Sequence, residues 1–174
     1  LDRRSHLITL AQSLGPIPFQ KASYIRARAP GRISIAGGGT DFTNYFINNE
    51  GCGLAISIAK FAHATLRPRL DREVNIYSGD FNERLHYDSF EQINCDKKLP
   101  LITTGIKLLK PNFGFDLEVG SDFPPGSGLG GSASILTAMA GVFAEAKGDK
   151  MSKQQIAEFA FQVERLELGI SGGW

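Results

Sequence analysis

The sequence predicts an α+β domain in which strands come first and helices follow, interleaved with a last strand. Three observations predict it. Alternating or continuous apolar runs fill residues 24–87, helical periods fill most of residues 101–168, and a glycine-rich turn joins the last strand to a helix. Strand runs followed by helical runs, without regular strand–helix alternation, belong to this class.

Taken in order, residues 5–14 place Leu7, Ile8, Leu10, Ala11 and Leu14 on one helical face, which Gly15-Pro16 ends. This arm, residues 1–22, is expected either as a helix on the domain surface or as the tail of an upstream domain. Leu1 is not a methionine, so a processed or trimmed product is expected. Tyr24 to Ile35 and Leu54 to Leu66 have the apolar content of paired strands. Val74-Asn75-Ile76-Tyr77 and Arg84-Leu85-His86-Tyr87 are short strands around a Ser78-Gly79-Asp80 turn. Leu101 to Leu109 is a helix that Pro111 interrupts. Phe113, Phe115, Leu117 and Val119 then alternate with smaller or polar residues, the period of a half-buried strand.

After the glycine-rich turn, Ile135, Leu136, Met139, Val142, Phe143 and Ala146 recur at helical spacing until Gly148. Ser152-x-x-Gln155 resembles a capping box. The helix it opens is expected to bury Ile156, Phe159, Val163 and Leu166, with Glu164 on a neighbouring stripe beside Ala157, Ala160 and Leu168.

Composition narrows the function. At 174 residues, 42% of them hydrophobic, the chain suffices for one domain with its own core. A net charge of +1 gives no electrostatic case for nucleic acid or an anionic membrane as a partner. No apolar run approaches the ~18 residues of a membrane span, and no signal peptide is expected. Cys52 and Cys95 are read as free thiols in a reducing compartment, which makes the cytoplasm the expected location. His6, His63 and His86 do not cluster at ligand spacing and are read as structural.

The chemistry is concentrated in Pro124-Pro125-Gly126-Ser127-Gly128-Leu129-Gly130-Gly131-Ser132. Glycines here let an anion approach the backbone, and the helix behind them presents unpaired N–H groups and the positive end of its dipole. Phosphate is the anion such loops hold. Gly126-x-Gly128-x-x-Gly131 matches the dinucleotide fingerprint in form, but no second parallel strand ending in an acidic residue follows about 20 residues on. A Walker A loop fails too, since Gly131-Ser132-Ala133 has no lysine. A plain connection with Ser132 as N-cap stays open.

The segment from Pro125 to Ala133 resembles the Pro-x-x-x-Gly-Leu-x-Ser-Ser-Ala phosphate loop of the GHMP kinases. Arg28-Ala29-Pro30-Gly31-Arg32-Ile33-Ser34-Ile35-Ala36-Gly37-Gly38-Gly39-Thr40-Asp41 resembles that superfamily's N-terminal motif, and its ending is most like the heptose-phosphate kinases. Gln162-Val163-Glu164-Arg165 with Gly169-Ile170-Ser171-Gly172-Gly173 is similar to the stretch leading to the catalytic aspartate. The resemblance implies the two-layer GHMP N-terminal domain (ribosomal protein S5 domain 2-like) over residues 23–174. The resemblance also implies a C-terminal domain, which is expected to be absent from the chain.

The same resemblance implies ATP and Mg²⁺ as cofactors. ATP phosphates are expected on Pro125, Gly126, Ser127, Gly128, Leu129, Gly130, Gly131 and Ser132, and the metal on Ser132 and Glu164. Gly131 replaces the first serine of the family pair, leaving Ser132 alone to reach a metal. Arg32 is the expected catalytic cation, with a surface ion pair as its alternative. Gly39, Thr40 and Asp41 are expected to hold sugar hydroxyls, with a capping turn before Phe42 as the alternative for Asp41. Small sugars or sugar phosphates are the expected partners, and a homodimer is left open.

The implied reaction is γ-phosphate transfer to a sugar hydroxyl, with D-glycero-D-manno-heptose 7-phosphate as first acceptor. An L-fucose kinase is the runner-up, and a catalytically silent sugar sensor the rival. The family's catalytic aspartate is expected immediately beyond Trp174, so the 174-residue chain alone is expected to be inactive.

Overall fold

Alternation along the strands decides which face of the sheet is covered. In the computed structural model, which describes residues 24–95 and 98–170, five strands form one sheet. They are β1 (Ile25–Ala36), β2 (Leu54–Arg69), β3 (Val74–Ser78), β4 (Glu83–Tyr87) and β5 (Gly114–Ser121), in the order β1-β2-β5-β3-β4. Three pairings are antiparallel, and β3 runs parallel to β5. The expected arm at residues 1–22 and the run Ser171-Gly172-Gly173 lie outside the described residues.

Ala62, Ala64 and Leu66 of β2, Val74 and Ile76 of β3, and Phe115, Leu117 and Val119 of β5 all point to one buried face. The parallel register sets Val74 beside Phe115 and Ile76 beside Leu117. Among the described residues four α-helices accompany the sheet: α1 (Thr43–Phe46), α2 (Pro100–Leu109), α3 (Gly131–Lys147) and α4 (Lys153–Phe161). The last runs on into a π-helical turn, Gln162–Glu167. α2, α3 and α4 supply Ile106, Leu136, Met139, Phe143 and Phe159 to the same core, the two-layer α+β arrangement the sequence predicts. The opposite face is polar: Arg69 donates to Asp116 at 3.0 Å, and Asn75 donates to the same carboxylate at 2.8 Å.

α3 lies close on β1. A Cβ built on Gly141 would stand 3.2 Å from the Cβ of Ala27, and buried Ser134 donates its hydroxyl to the Pro30 carbonyl at 2.9 Å. Phe143 meets Phe115 edge-on, with ring centroids 5.0 Å apart. These contacts fix the start of α3 against the Pro30–Arg32 segment.

The structure corrects one helical face. Ser152 and Gln155 form the expected capping box, and Phe159 and Val163 are buried, but Leu166 is 71% exposed. A π turn carries an extra residue, so side chains beyond it rotate off the 3.6-residue stripe. Strand β5 also begins at Gly114, one residue after Phe113. A Cβ at Gly114 would sit 2.3 Å from the Asp71 carbonyl oxygen, so only glycine fits where the strand starts. Among the described residues, no helix is long and apolar enough to cross a membrane.

Candidate active site

The glycine-rich loop stands on a fixed base. The Asp122 N–H donates to the Phe61 carbonyl at 2.8 Å. Its carboxylate accepts from the Phe61 N–H at 2.9 Å and faces His63 Nε2 at 3.1 Å. The Phe61 amide and then His63 hold the Asp122 carboxyl below the usual carboxylate range. Asp80 takes the Ser121 N–H and hydroxyl, both at 2.8 Å. Phe123 is buried, its ring 3.0 Å from where a Gly31 Cβ would stand and 3.1 Å from a Gly131 Cβ. Small residues on both sides of that ring let β1 and α3 close on it.

Above this base the loop is open. Gly126, Gly128 and Gly130 all have φ near +75°, a conformation that L side chains rarely adopt. A Cβ on Gly126 or Gly128 would meet nothing within 4 Å, so the glycines here are needed for backbone shape and leave the space above them free. α3 then begins at Gly131 with Gly130 as its N-cap, and no side chain caps it. Its first-turn amides therefore remain available to an anion.

Ser132 is thus not the N-cap. Its hydroxyl donates to Glu164 of the π turn, bringing together two residues 32 apart in sequence. The pair offers two hard oxygen ligands of the kind Mg²⁺ takes, the rest of its shell coming from phosphate and water. Among the described residues no cluster of three or more His, Cys, Asp or Glu could hold a metal by itself.

Arg32 reaches the loop from β1. Its N–H donates to the Leu129 carbonyl at 2.8 Å, and its Cγ and Nε lie 3.2 and 3.5 Å from where a Gly130 Cβ would be. Among the described residues it makes no ion pair, unlike the surface pairing left open for it. A free guanidinium therefore flanks the loop just before α3.

The Gly37–Asp41 segment is held by close backbone packing and local hydrogen bonds. Gly37, at φ +77°, packs its backbone on a second loop: a Cβ would fall 1.9 Å from the Cys52 carbonyl oxygen. Gly51 does the same against the Thr40 carbonyl, at 2.3 Å. The Thr40 hydroxyl shares its proton between the Gly37 and Cys52 carbonyls, at 2.8 and 3.0 Å. Asp41 Oδ1 accepts the Gly39 N–H at 2.9 Å, reaching back along the chain. Thr40 and Asp41 line a shallow concavity of about 330 Å³ with Phe46 and Cys52, without residues of the phosphate loop. Gly37→Ala should therefore lower stability by roughly 1–3 kcal/mol in a denaturant titration, whereas Gly38→Ala, whose Cβ would meet only Ser34 Oγ at 3.7 Å, should be nearly neutral.

Gly39 opens instead into a larger groove of about 740 Å³, shared with Phe42, Tyr45, Phe161 and Arg165. Arg165 follows Glu164 directly, so one π turn touches both the phosphate loop and this groove. Sequence reasoning gave Arg165, Phe123 and Ser134 no role. Arg165 carried a signal, since it adjoins a glutamate already singled out. The other two read as ordinary core and helix residues.

Residues 96–174 match the GHMP kinases N terminal domain. Over 154 residues the chain is 35% identical to the D-glycero-alpha-D-manno-heptose 7-phosphate kinase of Campylobacter jejuni subsp. jejuni serotype O:2, covering 86% of this chain and 45% of that protein. It is 28% identical to the galactokinase of Chloroflexus aurantiacus, covering 84% and 38% respectively. The crystal structure of a D-glycero-D-manno-heptose 1-phosphate kinase from Bacteriodes thetaiotaomicron superposes with a TM-score of 0.79 at 28% identity, over 87% of this chain and 51% of that one. The chain thus spans about half or less of the length of each of these three proteins.

Proposed function

We propose that this chain, which has the fold of the GHMP kinase N-terminal domain and matches it over residues 96–174, supplies the phosphate-binding half of an ATP-dependent sugar kinase. The acceptor is a sugar or sugar phosphate, D-glycero-D-manno-heptose 7-phosphate before galactose or L-fucose. The observation that carries this reading is the contact of Ser132 with Glu164 at the uncapped start of α3. It puts a carboxylate and a hydroxyl beside the open loop, where a nucleotide's charge would be concentrated.

Phosphoryl transfer to a hydroxyl is mainly positioning and charge stabilisation. The loop amides from Gly126 to Ser132 hold and orient the phosphates of ATP. Ser132 and Glu164 would hold Mg²⁺, which when bound neutralises phosphate charge. Arg32, free of any carboxylate partner among the described residues, stabilises negative charge growing on the transferring group. Asp41 keeps one carboxylate oxygen beyond its bond to Gly39, and that oxygen accepts a sugar hydroxyl proton. The Gly-Gly-Gly-Thr-Asp run and the 35% identity to a heptose 7-phosphate kinase support the heptose among the acceptors.

The test is ADP release by the full-length protein with ATP, Mg²⁺ and, in turn, heptose 7-phosphate, galactose and L-fucose. The heptose phosphate should give kcat/KM about tenfold or more above the others, with phosphate appearing at the anomeric position by NMR. Asp41→Ala should raise the sugar KM about tenfold and leave the ATP KM within about twofold. A protein that binds ATP and sugar by calorimetry but releases no ADP would be the silent sensor instead.

A further inference from the structure

We propose that Arg165 is an acceptor-specificity residue, its guanidinium binding a phosphate that the sugar already carries away from the reacting hydroxyl. The inference rests on the kinase reading above and adds a residue and a substrate feature to it.

Three observations converge on this side chain. Its Nη2 is buried with no hydrogen-bond partner among the described residues. A guanidinium stays charged at any relevant pH, so the unmet N–H groups cannot be relieved by losing a proton. Among the described residues Arg165 makes no ion pair, and the rings of Phe42 and Phe161 each lie 5.9 Å from its Cζ. That distance is at the outer limit of a useful cation–π contact and meets none of the N–H donors.

The surroundings select for an anion. None of the described residues lining the groove is acidic, and Arg165 is the one charged side chain among them. An internal cation that merely held the fold together would be expected to face a carboxylate; here the side chain lines a groove of about 740 Å³, ample for a sugar phosphate. The planar fork of N–H donors suits a phosphate dianion in two-point contact.

Position along the chain gives the direction. Glu164 touches Ser132 at the start of α3, while the next residue, Arg165, lines the groove that Gly39 opens into. No residue of the phosphate loop lines this groove, so the Glu164–Arg165 step is what links the two, and a sugar whose hydroxyl reaches the loop beside Glu164 extends toward Arg165. The reacting hydroxyl then lies toward the loop and the phosphate already present lies away from it.

The experiment uses the full-length protein, with Arg165→Met and Arg165→Lys. Heptose 7-phosphate is compared with the same heptose lacking the phosphate, both in turnover and by direct calorimetric binding. For Arg165→Met, affinity and kcat/KM for the phosphorylated sugar should fall about 10²-fold, while those for the unphosphorylated sugar and the ATP KM stay within about threefold. Arg165→Lys should recover part of the loss, since it keeps the charge without the fork. Inorganic phosphate should compete with the phosphorylated sugar in the wild type and lose that ability in Arg165→Met. Equal losses for both sugars would make Arg165 a structural residue and overturn the proposal. So would an unchanged preference for the phosphorylated sugar, which would mean the guanidinium is paired elsewhere in the longer protein. If no sugar turns over, the kinase reading fails, but the binding comparison still decides the role of Arg165.

Discussion

Glu164→Gln in the full-length protein lowers kcat by about 10²–10³-fold and leaves the folded domain nearly as stable as before. Both halves follow from the Ser132 contact. The amide oxygen of the substituted side chain can still accept the Ser132 hydroxyl, so the link between α3 and the π turn survives. What disappears is the negative charge, which matters only if a cation and phosphates gather there. The backbone around the site is held independently: the Ile170 N–H donates to the Glu164 carbonyl at 2.8 Å, and Val163 is fully buried. Thermal unfolding should therefore shift by no more than about 2 °C.

Ser132→Ala sharpens the test. If both residues hold one ion, each single change removes most of what the pair does, and the double variant should be little worse than either alone. Independent effects that multiply would assign them separate roles. Near-normal turnover in Glu164→Gln would leave the Ser132–Glu164 bond a purely structural tie.

The sequence made the central unit legible because each part carries its own periodic signal. Phe115, Leu117 and Val119 alternate, Ile135 to Phe143 recur at helical spacing, and glycines stand between them, so strand, loop and helix could be placed without tertiary information. Ser134 and Phe123 were not legible. Their roles depend on Pro30 and Gly31, about 90–100 residues away in the chain, and nothing local marks such a contact.

Gly37 shows a glycine whose requirement comes from a distant segment. The triple glycine suggests a backbone held open for a ligand, yet Gly37 is required by the Cys52 carbonyl of a neighbouring loop. Only Gly38 and Gly39 keep space around them. Leu166 departs from its local pattern. Apolar spacing puts it inside, but a slip from i→i+4 to i→i+5 hydrogen bonding leaves no mark in the apolar pattern. The same slip sets Glu164 on Ser132 while Arg165 lines the groove, so the unreadable feature is the one that joins the two parts of the site.

The loop itself offers a matched comparison between backbone strain and ligand contact. Gly128 and Gly148 have nearly the same φ, +75° and +71°, and a Cβ on either would meet nothing within 4 Å. Gly148 ends α3, at the opposite end of the helix from the phosphate loop. Gly128→Ala and Gly148→Ala should thus cost similar stability, about 1 kcal/mol each, from holding an L residue at positive φ. Their effects on nucleotide binding should differ completely. At Gly128 the added methyl enters the space through which phosphate reaches the backbone amides, and Gly128→Val fills it further. Each charge-assisted bond lost is worth about 1.5–3 kcal/mol, so losing one or two weakens ATP binding about 10–10²-fold or more. Gly148→Ala should leave the calorimetric Kd for ATP unchanged. Equal ATP affinity in Gly128→Val and wild type would remove the phosphates from this loop. A loss in Gly148→Ala as large as in Gly128→Ala would show that strain, rather than contact, weakens the site.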